Sequence, residues 1–455
     1  MNRTGRMIVM SSVAAALVVS GSVSAGAVGA GAVPAASARG AHDASRGRVV
    51  SVTQLRTLSA RQVTAELKSD KDGPDWDTRT VRYGVDTYRV VYRTVDAKGR
   101  PTTASGLLAF PRGGERRLRT VSFTHGTELF KGDVASVSTE VWGQAPALTY
   151  ASAGFAVVLP DYLGLGLGSG PQAWMDVPSE TTAALDLLRA AASFAPTVGR
   201  QLGHEVLATG FSQGASAALG LTRALQEGAD PRFRVAAVAP VSGAYAFRDV
   251  AFPSLLDGRA DAKDGVIYTA LALVAFNRLH HVYDSPREVF RAPYSRTIEG
   301  LLDGTHTGQE VMSRTPGTID ALLTRHGRAL IAHPTGGLAA ALRITDGVCT
   351  GWTPKMPMRL YYAEGDEQAV NGNSEHCQAS FRARGVDVPL VDLGTPDYGG
   401  SRHLGSQQAA TGAVVRWFAS LGRAGGGASP GQTSRSTTTG AWSEAPLPLR
   451  SSRST

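Results

Sequence analysis

Cysteine is almost absent from this chain of 455 residues, with Cys349 and Cys377 the only two. That number excludes a disulfide-built scaffold and a thiolate metal cluster, and it leaves room for one bridge. A Cys349–Cys377 bridge would stabilise the fold by about 3 kcal/mol on chain-entropy grounds. No histidine or cysteine group has metal-ligand spacing, so the sequence calls for no metal and no cofactor. Charged residues make up only 18% of the chain and hydrophobic ones 42%, the balance of a globular protein able to bury a sizeable core. Beyond the first forty residues no apolar run reaches the roughly 20 residues of a spanning helix, so stable membrane insertion is not expected. No internal repeat is present.

The two ends differ from the body. Residues 1–38 place Arg3 and Arg6 before an apolar stretch from about Met7 to Ser20 and then a tract of small residues, the layout of a secretory signal peptide cleaved after Ala25 or Ala38. Residues 39–52 read as a linker. Residues 423–455 are Gly, Ser, Thr, Pro and Arg with little to bury, and read as a disordered tail. Most of the formal charge of +8 sits in these ends, which hold six arginines (Arg3, Arg6, Arg423, Arg435, Arg450 and Arg453) against Glu444. The body between them is nearly balanced, which excludes a nucleic-acid partner.

Within 53–422 a helical start at 58–69 precedes two alternating runs, YRVVYRTV and TASGLLAF, joined by the turn-like DAKGRP as a hairpin. Strand and helix patterns then alternate through LRTVSFTHG, ALTYASAG, FAVVLPDY, ETTAALDLLRAAASFA, HEVLATG, ASAALGLTRALQ and FRVAAVAPVSG. Short apolar strands between amphipathic helices predict a mostly parallel sheet covered on both faces. The rhythm breaks over 246–355, where helical segments appear without a convincing strand, then resumes with MRLYYAEG, NSEHCQASFRARG, VDVPLVDLG and a closing helix. An insertion returning to the same sheet accounts for this, and it reads as a helical lid or cap.

The chemistry centres on VLATGFSQGASAAL, residues 206–219. The pattern G-x-S-x-G says little alone in a chain with 53 glycines, and it recurs as GASPG at 427–431 in the low-complexity tail. Only GFSQG at 210–214 has a buried strand before it and a helix after it, the context of a nucleophile elbow. The flanking glycines keep side chains away from a strained turn, Ser212 projects into the cleft, and the backbone NH of Gln213 faces a developing oxyanion.

A serine hydroxyl needs a base, and the base needs an orienting group, both from later strand ends. Asp366, after Gly365 in MRLYYAEGDEQAV, is the candidate acid, with Glu364 and Glu367 as rivals. Downstream of it only His376 and His403 remain. His376 lies in a helix beside Cys377, whereas His403 lies in the loop DYGGSRHLG, able to hang toward Ser212, and is the candidate base. The order Ser212, Asp366, His403 is that of an α/β-hydrolase. In VSFTHGTELF the NH of Thr127 is the second candidate oxyanion donor, with His125 and Gly126 beside it. Asp161 and Tyr162 read as a strand-end cap, with Tyr162 a weaker candidate for lining the pocket together with His125 and Gly126.

These pieces together resemble the secreted bacterial lipases and secretory-lipase-like esterases of the α/β-hydrolase superfamily. The matching residues are THGT at 124–127, PDYLGLG at 160–166, GFSQG at 210–214, WTPKMP with LYYAEGDEQAV from 352 to 370, and a histidine before the terminal VVRWF, within about 53–422. Thr127 replaces the second glycine of the HGGG-type esterase motif, and no proline follows Asp366. The resemblance implies cofactor-free hydrolysis of an acyl ester or lipid through an acyl-enzyme on Ser212, outside the cell. A peptidase with the same triad and a silent binding protein of this fold are the alternatives.

Overall fold

The computed structural model describes residues 45–424 apart from 72. The signal-peptide tract, most of the tail and the GASPG copy lie outside them. Nine strands form one sheet among the described residues, in the order β1-β2-β3-β5-β4-β6-β7-β8-β9. They are β1 (Val49–Leu58), β2 (Gly84–Val95), β3 (Pro101–Arg112), β4 (Arg117–Thr124), β5 (Ala156–Pro160), β6 (Gln201–Phe211), β7 (Arg234–Val241), β8 (Leu360–Tyr362) and β9 (Leu390–Asp392). β1, β2 and β3 pair antiparallel, as does β3 with β5, and every later pairing is parallel. This is the mixed, mostly parallel sheet that the alternating pattern predicts.

The stretch read as a linker ends in a strand, since β1 begins at Val49. β1 is an edge strand exposed along much of its length. It lacks the alternation that a half-buried strand shows, so periodicity passes over it. The β2–β3 hairpin follows the pattern closely: Asp96 accepts from the NH groups of Lys98 and Arg100, Gly99 takes φ 76°, and the register closes at Val95 opposite Pro101.

Alternation along the strands feeds two cores. Leu107 and Ala109 of β3 face one side with Val121, Phe123 and Leu207, under α1 (Ala60–Leu67), α2 (Val141–Ser152) and the C-terminal helix. Leu108 and Phe110 face the other with Val158 and Val206, under α3 (Val177–Phe194) and α4 (Gln213–Gln226).

Between β7 and β8 the described residues form helices and no strand of the sheet. This insertion has its own core, in which Leu273, Phe276, Leu322 and Leu342 pack together. After a short helix α5 (Phe252–Asp257) comes α6 (Ala262–His280), whose VIYTALALVAF run is buried almost all round, as its continuous apolarity requires. α7 (Gly336–Thr345) closes the insertion. Asp346 then accepts from the NH groups of Phe247 and Arg248, tying the insertion's exit to its entry. α8 (Gly372–Arg382) and α9 (Arg402–Ala424) complete the chain. Cys349 and Cys377 are bonded, with an S–S distance of 1.98 Å, joining the end of the insertion to α8. No described helix is long and apolar enough to cross a membrane.

Candidate active site

Ser212 stands where β6 turns into α4, with φ 54° and ψ −119°, a conformation that non-glycine residues rarely adopt. Both flanking glycines are sterically required. A Cβ on Gly210 would lie 2.1 Å from the carbonyl oxygen of Gly214, and one on Gly214 would lie 2.0 Å from that of Thr124. The strain is held by the strand frame, where Ser212 NH donates to Val241 O at 2.9 Å.

Three sequence candidates converge here. His403 Nε2 lies 2.9 Å from Ser212 Oγ, and His403 Nδ1 lies 2.9 Å from Asp366 Oδ2. All three residues are buried. Asp366 follows β8, and its Oδ1 accepts from the NH groups of Gln368 and Ala369, which leaves Oδ2 for the histidine. Burial alone would raise the Asp366 pKa, but His403 and those two NH groups override it and hold the carboxyl below its ordinary value. Burial alone would lower the His403 pKa, and Asp366 overrides it in turn, so the imidazole lies above its ordinary value.

The sequence pattern places His403 in a loop, whereas it is the second residue of α9. Glu367, weighed as a rival acid, accepts from the NH groups of Arg402 at 3.1 Å and His403 at 3.3 Å and from the Ser401 hydroxyl. It therefore anchors the first turn of α9 and sets where His403 begins. Glu364 NH bonds Gly394 O at the far strand, and His376 is half-buried on α8.

Two clefts meet at Ser212, and Thr127, Tyr268, Gln368 and His403 border both. One is lined by Trp174, Met175, Phe247, Phe252 and Leu255 beneath the insertion. The other is lined by Gly126, Glu128, Trp142, Pro146 and Gln407. His125 reaches the second cleft, with Nδ1 2.7 Å from Gly126 O, and burial lowers its pKa to about 4, so it is neutral near pH 7. Tyr162 is buried behind it: its hydroxyl donates to His125 O at 3.0 Å and its ring lies 4.4 Å from the imidazole. It braces the 124–127 loop from behind. Asp161 accepts from the Ser105 and Ser136 hydroxyls and caps the end of β5.

Several residues at this site left no mark in the sequence. Tyr268 on α6 bonds Gln368, Trp174 Nε1 donates to Thr127 Oγ1 at 2.9 Å, and the Gln213 side chain bonds Glu180. These pairs join segments 33 to 100 positions apart, and no local spacing announces such contacts. No group of His, Cys, Asp or Glu among the described residues has metal-binding geometry.

No family model matches the chain, and no curated protein matches its sequence. Solved structures do match. The rice cell wall degrading esterase LipA from Xanthomonas oryzae is 25% identical, with 81% of this chain and 97% of that chain covered at a TM-score of 0.71. A Legionella pneumophila hydrolase is 23% identical over 82% of this chain and 98% of its own, at a TM-score of 0.74. Candida antarctica lipase A shares the fold more distantly, at 15% identity, 77% coverage of each chain and a TM-score of 0.55.

Proposed function

We propose that this chain, an α/β-hydrolase by fold with lipases and esterases among its structural neighbours, is a serine carboxylic ester hydrolase working through an acyl-enzyme on Ser212. The observation that carries the reading is the buried relay Ser212 Oγ, His403 Nε2, His403 Nδ1 and Asp366 Oδ2, with 2.9 Å at each contact.

The chemistry follows from that relay. His403, neutral at Nε2, takes the proton as Ser212 Oγ attacks the ester carbonyl, and Asp366 stabilises the imidazolium. The carbonyl oxygen becomes an anion held by the NH groups of Thr127 and Gln213, the latter at the positive end of α4. Collapse breaks the C–O bond, and His403 returns its proton to the departing alcohol. Water, activated by the same histidine, then frees the acid and restores Ser212.

The two clefts divide the substrate. The one lined by Trp174, Phe247, Phe252 and Leu255 suits an apolar acyl group, and the insertion above it acts as a lid. The cleft holding Glu128 and Gln407 suits the alcohol. Export completes the reading, supported by the N-terminal leader pattern and by the Cys349–Cys377 bond, which belongs to an oxidising compartment.

The test is a panel of p-nitrophenyl esters of increasing acyl length, a triglyceride emulsion and peptide substrates, run on the purified protein and on Ser212→Ala. Ester turnover lost in the variant is the expected result. Equal turnover by both proteins overturns the reading, and turnover of peptides alone replaces it with a peptidase.

A further inference from the structure

The two candidate oxyanion donors, Thr127 and Gln213, come from different strand ends, and their relative placement must hold within a fraction of an ångström for both NH groups to reach one oxygen. A continuous set of hydrogen bonds links them. Trp174 Nε1 donates to Thr127 Oγ1 at 2.9 Å, the next residue's NH, that of Met175, donates to Glu180 Oε1 at 3.0 Å, and Gln213 Nε2 donates to that same oxygen at 2.7 Å. Met175 has φ 57°, and its carbonyl accepts from the Thr345 hydroxyl at 3.1 Å. Trp174, Glu180 and Gln213 are all at least 97% buried.

We propose that Glu180, acting through the Gln213 side chain and braced by Trp174–Met175, is the positioning residue of the oxyanion hole. The inference rests on the hydrolase reading above.

Its second support lies in two buried atoms. Among the described residues Glu180 Oε2 and Gln213 Oε1 have no hydrogen-bond partner, and they belong to the same pair. An ionised carboxylate cannot satisfy both, because each would then be an acceptor. A proton on Oε2 lets it donate to Gln213 Oε1, which pairs acid and amide through two bonds and fixes the Gln213 side chain in both directions. Burial pushes the Glu180 carboxyl up to about 8, Asp176 on the preceding turn adds to the rise, and the bonds from Gln213 and Met175 oppose it. Tyr162, from the loop after β5, also faces it, and burial keeps the tyrosine hydroxyl protonated. Below about pH 8 the pair is neutral and closed. Above it, the anion loses the Oε2 bond while Oε1 keeps those from Gln213 Nε2 and Met175 NH, so the Gln213 side chain is held from one side alone and the oxyanion donor is less firmly placed.

Glu180→Gln preserves the closed pairing at every pH, since its amide both accepts and donates, whereas Glu180→Ala removes it. With a soluble p-nitrophenyl ester, wild-type kcat should fall as pH rises past about 8. Glu180→Gln should keep kcat within about threefold of wild type at pH 7 and lose that alkaline decline. Glu180→Ala should lower kcat by roughly 10- to 100-fold, short of the full loss of an oxyanion donor, with KM changed less than about threefold. Stoichiometric fluorophosphonate labelling of Ser212 in each variant verifies a folded, intact nucleophile. A Glu180→Gln profile that keeps the wild-type alkaline decline overturns the proposal, as does a fully labelled Glu180→Ala with wild-type kcat. Should the Ala variant fail to fold, the Gln profile alone decides. A wild-type protein that neither hydrolyses esters nor labels overturns the hydrolase reading itself, and with it this one.

Discussion

The hydroxyl of Tyr268 on α6 donates to Gln368 Oε1 at 2.5 Å, and Gln368 stands two residues beyond the candidate acid Asp366. This bond and the one from Asp261 NH to Glu367 O at 2.8 Å tie the helical insertion to the loop of the candidate acid. Tyr268→Phe should release about 1 kcal/mol of that tie. Amide hydrogen exchange across 262–280 should then quicken by about fivefold, with little change elsewhere. Unchanged exchange there would show that the apolar core and the Asp261–Glu367 bond hold the insertion without it.

Acid should inhibit, and its midpoint identifies the base. On the proposed mechanism His403 works as a neutral imidazole, and its pKa is raised above 6.5, so kcat/KM should fall as pH drops through a value higher than an ordinary histidine's. His125, at about 4, is neutral throughout that range and does not contribute. Asp366→Asn removes the charge that raises His403, so the midpoint should move down while kcat falls by about 10⁴-fold. Asp264, pushed up to about 7 by burial and by Asp261 and Glu367, adds a weaker pull on His403. Asp264→Asn should lower the midpoint by less.

Gly214→Ala should be more damaging than a surface change of the same size. Its Cβ would meet the Thr124 carbonyl at 2.0 Å, backbone against backbone, where neither atom can swing away. The expected outcome is a loss of activity together with a thermal midpoint several degrees lower, measured by calorimetry.

Phe252→Ala should widen the apolar cleft at its buried wall. The preferred acyl length in the p-nitrophenyl series should then rise, with KM for the longer esters falling relative to the shortest. A profile parallel to the wild type's would place the acyl group in the other cleft.

Replacing both Cys349 and Cys377 by serine opens a loop with a sequence separation of 28. The cost should be about 3 kcal/mol, seen as a lower denaturation midpoint under oxidising conditions and as no difference from wild type once a strong reductant is present.

Much of this architecture can be read from the residues alone, for identifiable reasons. GFSQG is legible because strand, strained turn and helix are contiguous, so the local pattern carries the geometry. Asp366 and His403 are legible because a parallel sheet presents its strand ends on one side, which turns chain order into position. β1 escapes because an exposed edge strand has no apolar alternation to display. Glu180 escapes for a different reason: in the sequence it is one acid at the start of an amphipathic helix, and only the packing of α3 against α4 sets it against Gln213. Likewise Glu367 looks like a rival to Asp366 until the fold turns its carboxyl toward the start of α9.

The bond between Cys349 and Cys377 also changes how tension would travel along this chain. A pull on the two ends passes across the sulfur link and bypasses the segment between, which contains β8, Asp366, Glu367 and Gln368. In a single-molecule stretching experiment the candidate acid would ride in a slack ring, and the oxidised protein would reach a contour length shorter than its reduced form by the span of that ring.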